Sequence, residues 1–192
     1  MIRLYGIGVD RRIFMDIPKD VTGAKCEYTF KEAEPVGRVT KDLTEEALER
    51  AVALIEAAKK PYIFVGGGAV ISDAAEELAD FVSLVDAPVC DTLMGKGAFD
   101  GTKPAYTGML GMHGTKASNL GVSECDLLIA VGSRFSDRVL GNPKTFASNA
   151  KLLQFDVDPA EINKNVIATA EVIGDIKEIL KRINPMLKKQ DH

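Results

Sequence analysis

Leu127-Leu128-Ile129-Ala130-Val131 runs directly into Gly132-Ser133-Arg134-Phe135-Ser136-Asp137-Arg138-Val139. An all-apolar stretch of this length reads as a central strand buried on both faces, and the glycine that ends it opens a loop carrying two arginines and an aspartate. In an open α/β sheet, ligands sit outside the carboxyl ends of the strands. Arginine there suits a phosphate or carboxylate, because its planar fork donates two parallel hydrogen bonds. The stretch points to a nucleotide-like ligand at a strand end.

Working outward, strands and helices alternate. Tyr62 to Val65 is a second all-apolar strand. Before it, Leu48, Ala51, Val52, Ile55 and Ala58 recur at helical spacing. That helix starts at Thr44; Glu45 and Glu46 favour its positive end, and Pro61 is expected to stop it. Asp73 to Leu84 reads as a helix, Pro88 to Cys90 as a short strand and Thr115 to Ser123 as a helix. Lys151 to Phe155 reads as a strand, and Asp158-Pro159 opens a short turn of helix. Glu171 to Ile173 is the last strand, and Asp175 caps a closing helix that runs to Ile183. The alternation predicts an α/β fold: a doubly wound, Rossmann-like, six-stranded parallel sheet with right-handed crossovers. Residues 44–187 are expected to form this domain. Residues 1–43 read as a leading strand, Ile13 to Ile17 ended by Pro18, with a polar connecting segment. Residues 188–192 read as a frayed tail.

Composition narrows the class. A chain of 192 residues, 46% apolar and 27% charged, suits one soluble globular domain. A net charge of −4 without a basic block argues against nucleic acid as a partner. Cys26, Cys90 and Cys125 are far apart and suggest free thiols in a reducing compartment; no spacing suggests a metal site. No apolar run is long enough for a membrane span and Met1 to Arg12 lacks a signal-peptide core, so the cytoplasm is the expected compartment.

The candidate site residues are ambiguous one at a time. Gly66-Gly67-Gly68 follows a strand and precedes a helix, so its backbone N–H groups could approach a phosphate or ribose; it reads equally as a tight turn, and it is not GxGxxG. His113 alone reads as structural. Met109 and Met112 could fill core. Arg134, Asp137 and Arg138 could be a surface ion-pair cluster. Asp156 and Asp158 are placed like the strand-end acid that binds ribose hydroxyls. GxSxG, HExxH and P-loop motifs are absent from the sequence, and no Ser–His–Asp set can be argued from His113 and His192.

Together these segments are specific. Asp16-Ile17-Pro18-Lys19-Asp20, Gly66-Gly67-Gly68, Thr92 to Gly97, Gly108-Met109-Leu110-Gly111-Met112-His113-Gly114, Gly132 to Val139, Phe155-Asp156-Val157-Asp158 with Glu161-Ile162, and Gly174-Asp175 resemble the central domain of acetolactate synthase (acetohydroxyacid synthase) large subunits. These are thiamine-diphosphate enzymes. The resemblance runs from about Ile13 to about Leu180 and implies a sheet of the DHS-like NAD/FAD-binding type. It implies, as the parent activity, condensation of pyruvate with a 2-ketoacid in branched-chain amino acid biosynthesis. Other thiamine-diphosphate enzymes, such as glyoxylate carboligase or pyruvate oxidase, and a free-standing FAD or nucleotide module are the alternatives.

What the resemblance implies for this chain is FAD. Gly66, Gly67 and Gly68 match the triplet beside ribityl and phosphates; Thr92, Leu93 and Met94 match the second loop. Leu110, Gly111, Met112 and His113 match residues lining the flavin. Gly132, Ser133, Arg134, Arg138 and Val139 match the third loop. Asp156 and Val157 match the adenosine ribose site, and Asp175 and Ile176 the adenine end. Lys19, Met112, Asp137 and Arg138 match residues facing a substrate channel, where the arginine, held by its aspartate neighbour, can orient a 2-ketoacid carboxylate. Thiamine diphosphate and Mg2+ are implied for the parent enzyme, not for this chain: Gly174-Asp175 is followed by Ile176, so the family's Gly-Asp-Gly motif is missing. The implied partners are the parent's N- and C-terminal domains and a regulatory subunit. Two departures stand out. Val9 occupies the place of a family arginine that touches FAD, and Ser136 stands where many members have aspartate. The start, Met1 to Asp10, suggests a cut or truncated chain. The isolated chain is expected to lack catalysis, to hold FAD weakly and to self-associate through faces the parent would bury.

Overall fold

The computed structural model describes residues 3–7, 12–25, 27, 29, 38, 40–142 and 146–192. The chain divides into two units, residues 1–38 and residues 39–192. In the first, β1 (Arg3–Ile7) pairs antiparallel with β2 (Arg12–Asp16), in a register from Arg3 opposite Asp16 to Ile7 opposite Arg12. One helical turn, α1 (Lys19–Thr22), follows Pro18. The strand read from Ile13 to Ile17 is β2; β1 and α1 carry no apolar period and were not expected. Val9 and Cys26 lie outside the described residues.

The second unit begins with α2 (Glu45–Ala57). Thr44 caps it, its hydroxyl accepting from the Ala47 N–H at 3.3 Å. Of the positions the periodicity marked, Leu48, Ala51 and Ile55 are buried, with Ala47 beside them, while Val52 and Ala58 are half-buried. The helix does not run to Pro61. It ends at Ala57, Ala58 is extended, and Pro61 is the first residue of β3 (Pro61–Val65), a strand position that needs no ladder donor. The Asp126 carboxylate fixes this turn by accepting from the Lys59 and Lys60 N–H groups at 2.8 and 2.9 Å.

After β3 come α3 (Gly67–Ile71), α4 (Ala75–Val85), β4 (Val89–Asp91) and β5 (Tyr106–Met109). The helix expected from Asp73 starts two residues later, because Asp73 has φ +53° and separates α3 from α4. Then follow α5 (Lys116–Glu124), β6 (Leu127–Val131), α6 (Asp137–Leu140), β7 (Lys151–Asp156), β8 (Ala170–Ile173) and α7 (Ile176–Ile183). Asp175 caps α7 as expected. The last residues, expected to fray, return to α4: the Gln190 N–H donates to Leu84 O at 2.8 Å and the His192 N–H to Asp86 at 3.1 Å.

The six parallel strands lie in the order β5-β4-β3-β6-β7-β8. From β3 the chain winds outward to β5, then returns beside β3 as β6 and winds outward the other way. This is the doubly wound sheet the sequence predicts, with its switch point between β3 and β6. Alternate residues feed two cores. Ile63, Val65, Ile129, Leu153 and Phe155 pack with buried residues of α2, α4 and α7. Tyr62, Phe64, Leu128, Ala130 and Leu152 pack with Val122, Phe135 and Leu140. That double burial is why the central strands are apolar at every position. The thiols of Cys90 and Cys125 are free and buried, and burial pushes the Cys125 thiol up to about 12.

At the switch point two backbones touch. A Cβ on Gly66 would sit 2.2 Å from Gly132 O and 2.6 Å from Ser133 Cα, and one on Gly132 would sit 2.7 Å from Gly68 Cα. Gly97 offers a contrast: its φ is +90° but nothing lies within 4 Å of its Cβ position. Gly66→Ala is therefore expected to cost at least about 3 kcal/mol, through backbone displacement in a packed core. Gly97→Ala is expected to cost only the roughly 1–2 kcal/mol of a left-handed alanine. Urea unfolding of both variants checks this, and equal losses would contradict it.

Candidate functional site

Five of the six strands of the sheet are followed by a residue that adds one more rung to the ladder. The Thr92 N–H donates to Val65 O, Gly66 to Val131 O, Leu110 to Asp91 O, Gly132 to Phe155 O and Gly174 to Asp156 O, all at 2.8–2.9 Å. The loops at the carboxyl end are thereby aligned into one rim, and the residues singled out in the sequence after β3 to β8 stand along it. Lys19 belongs to the first unit, where it is the exposed first residue of α1.

Two groups emerge on this rim. Some residues hold the loops. The Gly66 and Gly68 N–H groups are committed to Val131 O and Gly132 O, and their missing side chains make room for the Gly132 backbone. Leu110 and Ser133 are buried. The Thr92 hydroxyl accepts from the Gly95 N–H at 3.0 Å. The Asp175 carboxylate accepts from the Ser72 hydroxyl at 2.9 Å and from the Glu178 N–H at 3.3 Å. Ile176 is in the core, and its N–H donates to Ser72 Oγ.

The others face outward. Gly67 has its N–H free of the β6 loop, and its Cα lies against Met94: a Cβ there would be 3.0 Å from Met94 Cβ. Leu93, Met94 and Met112 are 70–75% exposed, unusual for such side chains. His113, Arg134, Asp137 and Arg138 are exposed, while Val139 and Val157 are half-buried. The Asp137 carboxylate accepts from the Arg138 backbone N–H at 2.9 Å rather than from its guanidinium, so the expected aspartate–arginine pairing is a turn contact.

Two junctions connect the loops. The Met112 N–H donates to Arg138 O at 3.1 Å, and a Cβ on Gly111, whose φ is +99°, would meet that same oxygen at 2.7 Å. The residues from 111 to 113 are thereby seated on the start of α6. Beside β4, Tyr106 donates to the buried Asp91 carboxylate at 2.8 Å, and Lys96 reaches Asp91 at 3.4 Å and the Tyr106 hydroxyl at 3.1 Å. This triangle braces the turn that displays Leu93 and Met94. Sequence reading missed Asp91 and Tyr106, and quoted Lys96 only within the run from Thr92 to Gly97, without a role. The signal was there in principle, as an acid ending a strand with a lysine five residues on.

Asp156 is 6% exposed and accepts from the Asp158 N–H at 3.0 Å. Burial raises its carboxyl to about 6, helped by the neighbouring Glu161 and Asp158 charges and opposed by that N–H. Among the described residues no group of three or more His, Cys, Asp or Glu side chains could hold a metal ion, and no helix is long and apolar enough to cross a membrane. A groove of about 440 Å3 is lined by Phe146, Lys151, Val166 and Ile167 among others, and by Asn165, whose carboxamide donates to Arg134 O at 3.1 Å. None of the rim residues lines it.

Residues 48–183 match the family described as "Thiamine pyrophosphate enzyme, central domain". The acetolactate synthase large subunit of Cyanidium caldarium is 42% identical over 183 residues, covering 92% of this chain and 31% of the relative. That of Parasynechococcus marenigrum is 46% identical over 175 residues, covering 89% and 28%. The X-ray structure of a protein described as a thiamin diphosphate-dependent enzyme from Mycobacterium smegmatis superposes with a TM-score of 0.68 at 25% identity, covering 83% of this chain and 31% of that one. The chain thus spans about a third or less of the length of these proteins.

The Asp156 carboxyl yields a pH prediction. A carboxyl raised in the folded state favours the fold below its unfolded pKa of about 4, and that contribution is lost as pH rises through about 6. The Asp156→Asn substitution keeps the oxygen that accepts from the Asp158 N–H but removes the ionisation. Between pH 4 and pH 7 this variant should therefore gain on the order of 3 kcal/mol relative to wild type in urea unfolding. A difference that does not change with pH would contradict the raised carboxyl.

Proposed function

The chain belongs to the central-domain family of thiamine pyrophosphate enzymes, and we propose that it is the middle domain of an acetolactate synthase large subunit that holds FAD on the rim of its sheet. One observation carries the reading. At the switch point, where α/β sheets take their ligands, Gly67 stands outside the contact that engages the Gly66 and Gly68 N–H groups and lies against Met94, while Leu93, Met112, Arg134 and Arg138 are exposed on other loops of the same rim. A dinucleotide carrying a flat apolar ring and two phosphates needs those features together.

The residues divide the work accordingly. Gly67 and Arg134 would meet the phosphates, by backbone N–H and by guanidinium. Leu93, Met94, Gly111, Met112 and His113 would lie against the flavin ring, and Val139 would pack beside it. Asp156 and Val157 would meet the adenosine ribose. Gly66, Gly68, Thr92, Leu110, Gly132, Ser133, Asp175 and Ile176 fit the site as the groups that hold its loops. FAD in this reading supplies structure and takes no net redox part. Asp137 and Arg138, with Met112, would border the substrate channel, where Arg138 would orient the carboxylate of a 2-ketoacid.

The parent reaction is, in this reading, condensation of pyruvate with a second 2-ketoacid on thiamine diphosphate and Mg2+ held by the flanking domains, in the cytoplasm. Those domains would cover Leu93, Met94 and Met112; in the isolated chain the same side chains would drive self-association. With the ring half-wetted, the isolated chain would lose part of the ~25 cal/mol per Å2 that apolar burial contributes, and would hold FAD weakly.

Two experiments test the reading. Purified alone with thiamine diphosphate and Mg2+, the chain should form no acetolactate from pyruvate; turnover would overturn the division of labour. Placed in the Cyanidium caldarium large subunit in exchange for the matching stretch, it should give a subunit that keeps FAD through gel filtration. A folded, active-sized chimera without flavin would sink the FAD reading.

A further inference from the structure

Asn119 lies in the second turn of α5, a position where a polar residue is ordinarily solvated. Here its carboxamide is fully engaged. Its Oδ1 accepts from the Gly111 N–H at 3.2 Å. Its Nδ2 donates to Gly111 O at 3.1 Å and to Thr115 O at 2.9 Å. The amide thus pairs with both backbone groups of one loop residue, as a neighbouring strand would. The network also fixes the orientation of the amide: exchanging its oxygen and nitrogen would set donor against donor at Gly111.

Gly111 is where a holder is needed. Its φ of +99° lies in the region that favours glycine, and the place of its Cβ is filled by Arg138 O at 2.7 Å. The next residue, Met112, donates its N–H to that same Arg138 O at 3.1 Å. One side chain on α5 therefore sets the height of the β5 loop and, through Met112, its seat on the first turn of α6. Behind the junction is a cavity of about 190 Å3, lined by Leu110, Asn119, Val122, Val139 and Leu140 among others. Packing alone does not hold the loop there.

We propose that Asn119 is the positioning residue of the site: its carboxamide latches Gly111 so that Met112, His113 and Arg138 are presented together to the bound ligand. The inference rests on the FAD reading for its ligand, while the latch itself can be tested without it.

The test compares wild type with Asn119→Ser, Asn119→Asp and Asn119→Leu. Serine can keep a bond to Thr115 O, as Ser123 does to Asn119 O at 2.8 Å, but cannot reach Gly111. Aspartate keeps the shape and an acceptor for the Gly111 N–H but loses both donors. Leucine fills the cavity without any polar group. Amide hydrogen exchange is the first readout. Loss of two hydrogen bonds in the serine and aspartate variants, and of all three in the leucine variant, should speed exchange at Gly111, Met112 and Gly114 at least roughly tenfold, with protection in β3 and β6 unchanged. The second is FAD titration followed by the visible absorption band of the flavin. All three variants should bind roughly tenfold more weakly than wild type, with an altered band shape at saturation. If leucine behaves as wild type, Asn119 only fills space and the latch is refuted; unchanged loop exchange in the serine variant refutes it equally. If wild type takes up no FAD at all, the FAD reading fails, and the exchange data still decide the latch.

Discussion

The structure depends on one contact: the backbone of Gly66 to Gly68 against the backbone of Gly132 and Ser133, at the point where the sheet reverses its winding. A Cβ at Gly66 would come within 2.2 Å of a carbonyl oxygen, so no side chain fits there without moving a strand end. The Gly66 and Gly68 N–H groups bond to Val131 O and Gly132 O across the gap. The two central strands are thereby held together one residue beyond their own ladder. The crevice expected at a switch point is closed at its floor by protein, so the proposed ligand would lie above it. The turn after β4 and the loop after β5 stand on the same rim, and both are braced from behind by polar groups: Asp91, Tyr106 and Lys96 for one, Asn119 for the other.

This changes what the glycine triplet means. Read from sequence, three glycines after a strand suggest close approach of phosphate to backbone. In the structure two of them serve the approach of one loop to another, and only Gly67 keeps its N–H away from the β6 loop. The same division runs through the other matched positions. Asp175 and Ile176 are committed to Ser72 and the core, whereas Met94 and Met112 stand nearly bare. A resemblance in sequence cannot separate residues that touch a ligand from residues that hold those which do, since both are needed for the same loop.

Much of the fold was legible for a plain reason. Double burial forces β3 and β6 to be apolar at every position, and α2 shows its single buried stripe. The elements that were missed lack either signal. β5, Tyr106-Thr107-Gly108-Met109, is half-buried at the sheet edge and contains a glycine with φ +104°. α3 begins on two glycines, and its break from α4 lies in a left-handed aspartate rather than in proline or glycine. The rim was legible as a set of loops, because the order of strands and helices places them at one end. Its bracing was not. Asn119 looks like any exposed helical amide until the loop folds back onto it, and Asp91 looks like a strand-end acid until Tyr106 and Lys96 arrive from the neighbouring strand and turn.

The central claim is that the ligand sits on this rim, above a floor closed by the Gly66–Gly132 contact. The most direct measurement is a backbone amide shift map of the 15N-labelled chain titrated with FAD to roughly millimolar concentration, where even an association worth about 4 kcal/mol is visible. The account predicts shifts concentrated at Gly67, at Leu93 and Met94, from Gly111 to His113, and at Arg134, with the outer helices silent. Shifts gathered around the groove at Phe146 and Ile167, or none anywhere, would contradict it.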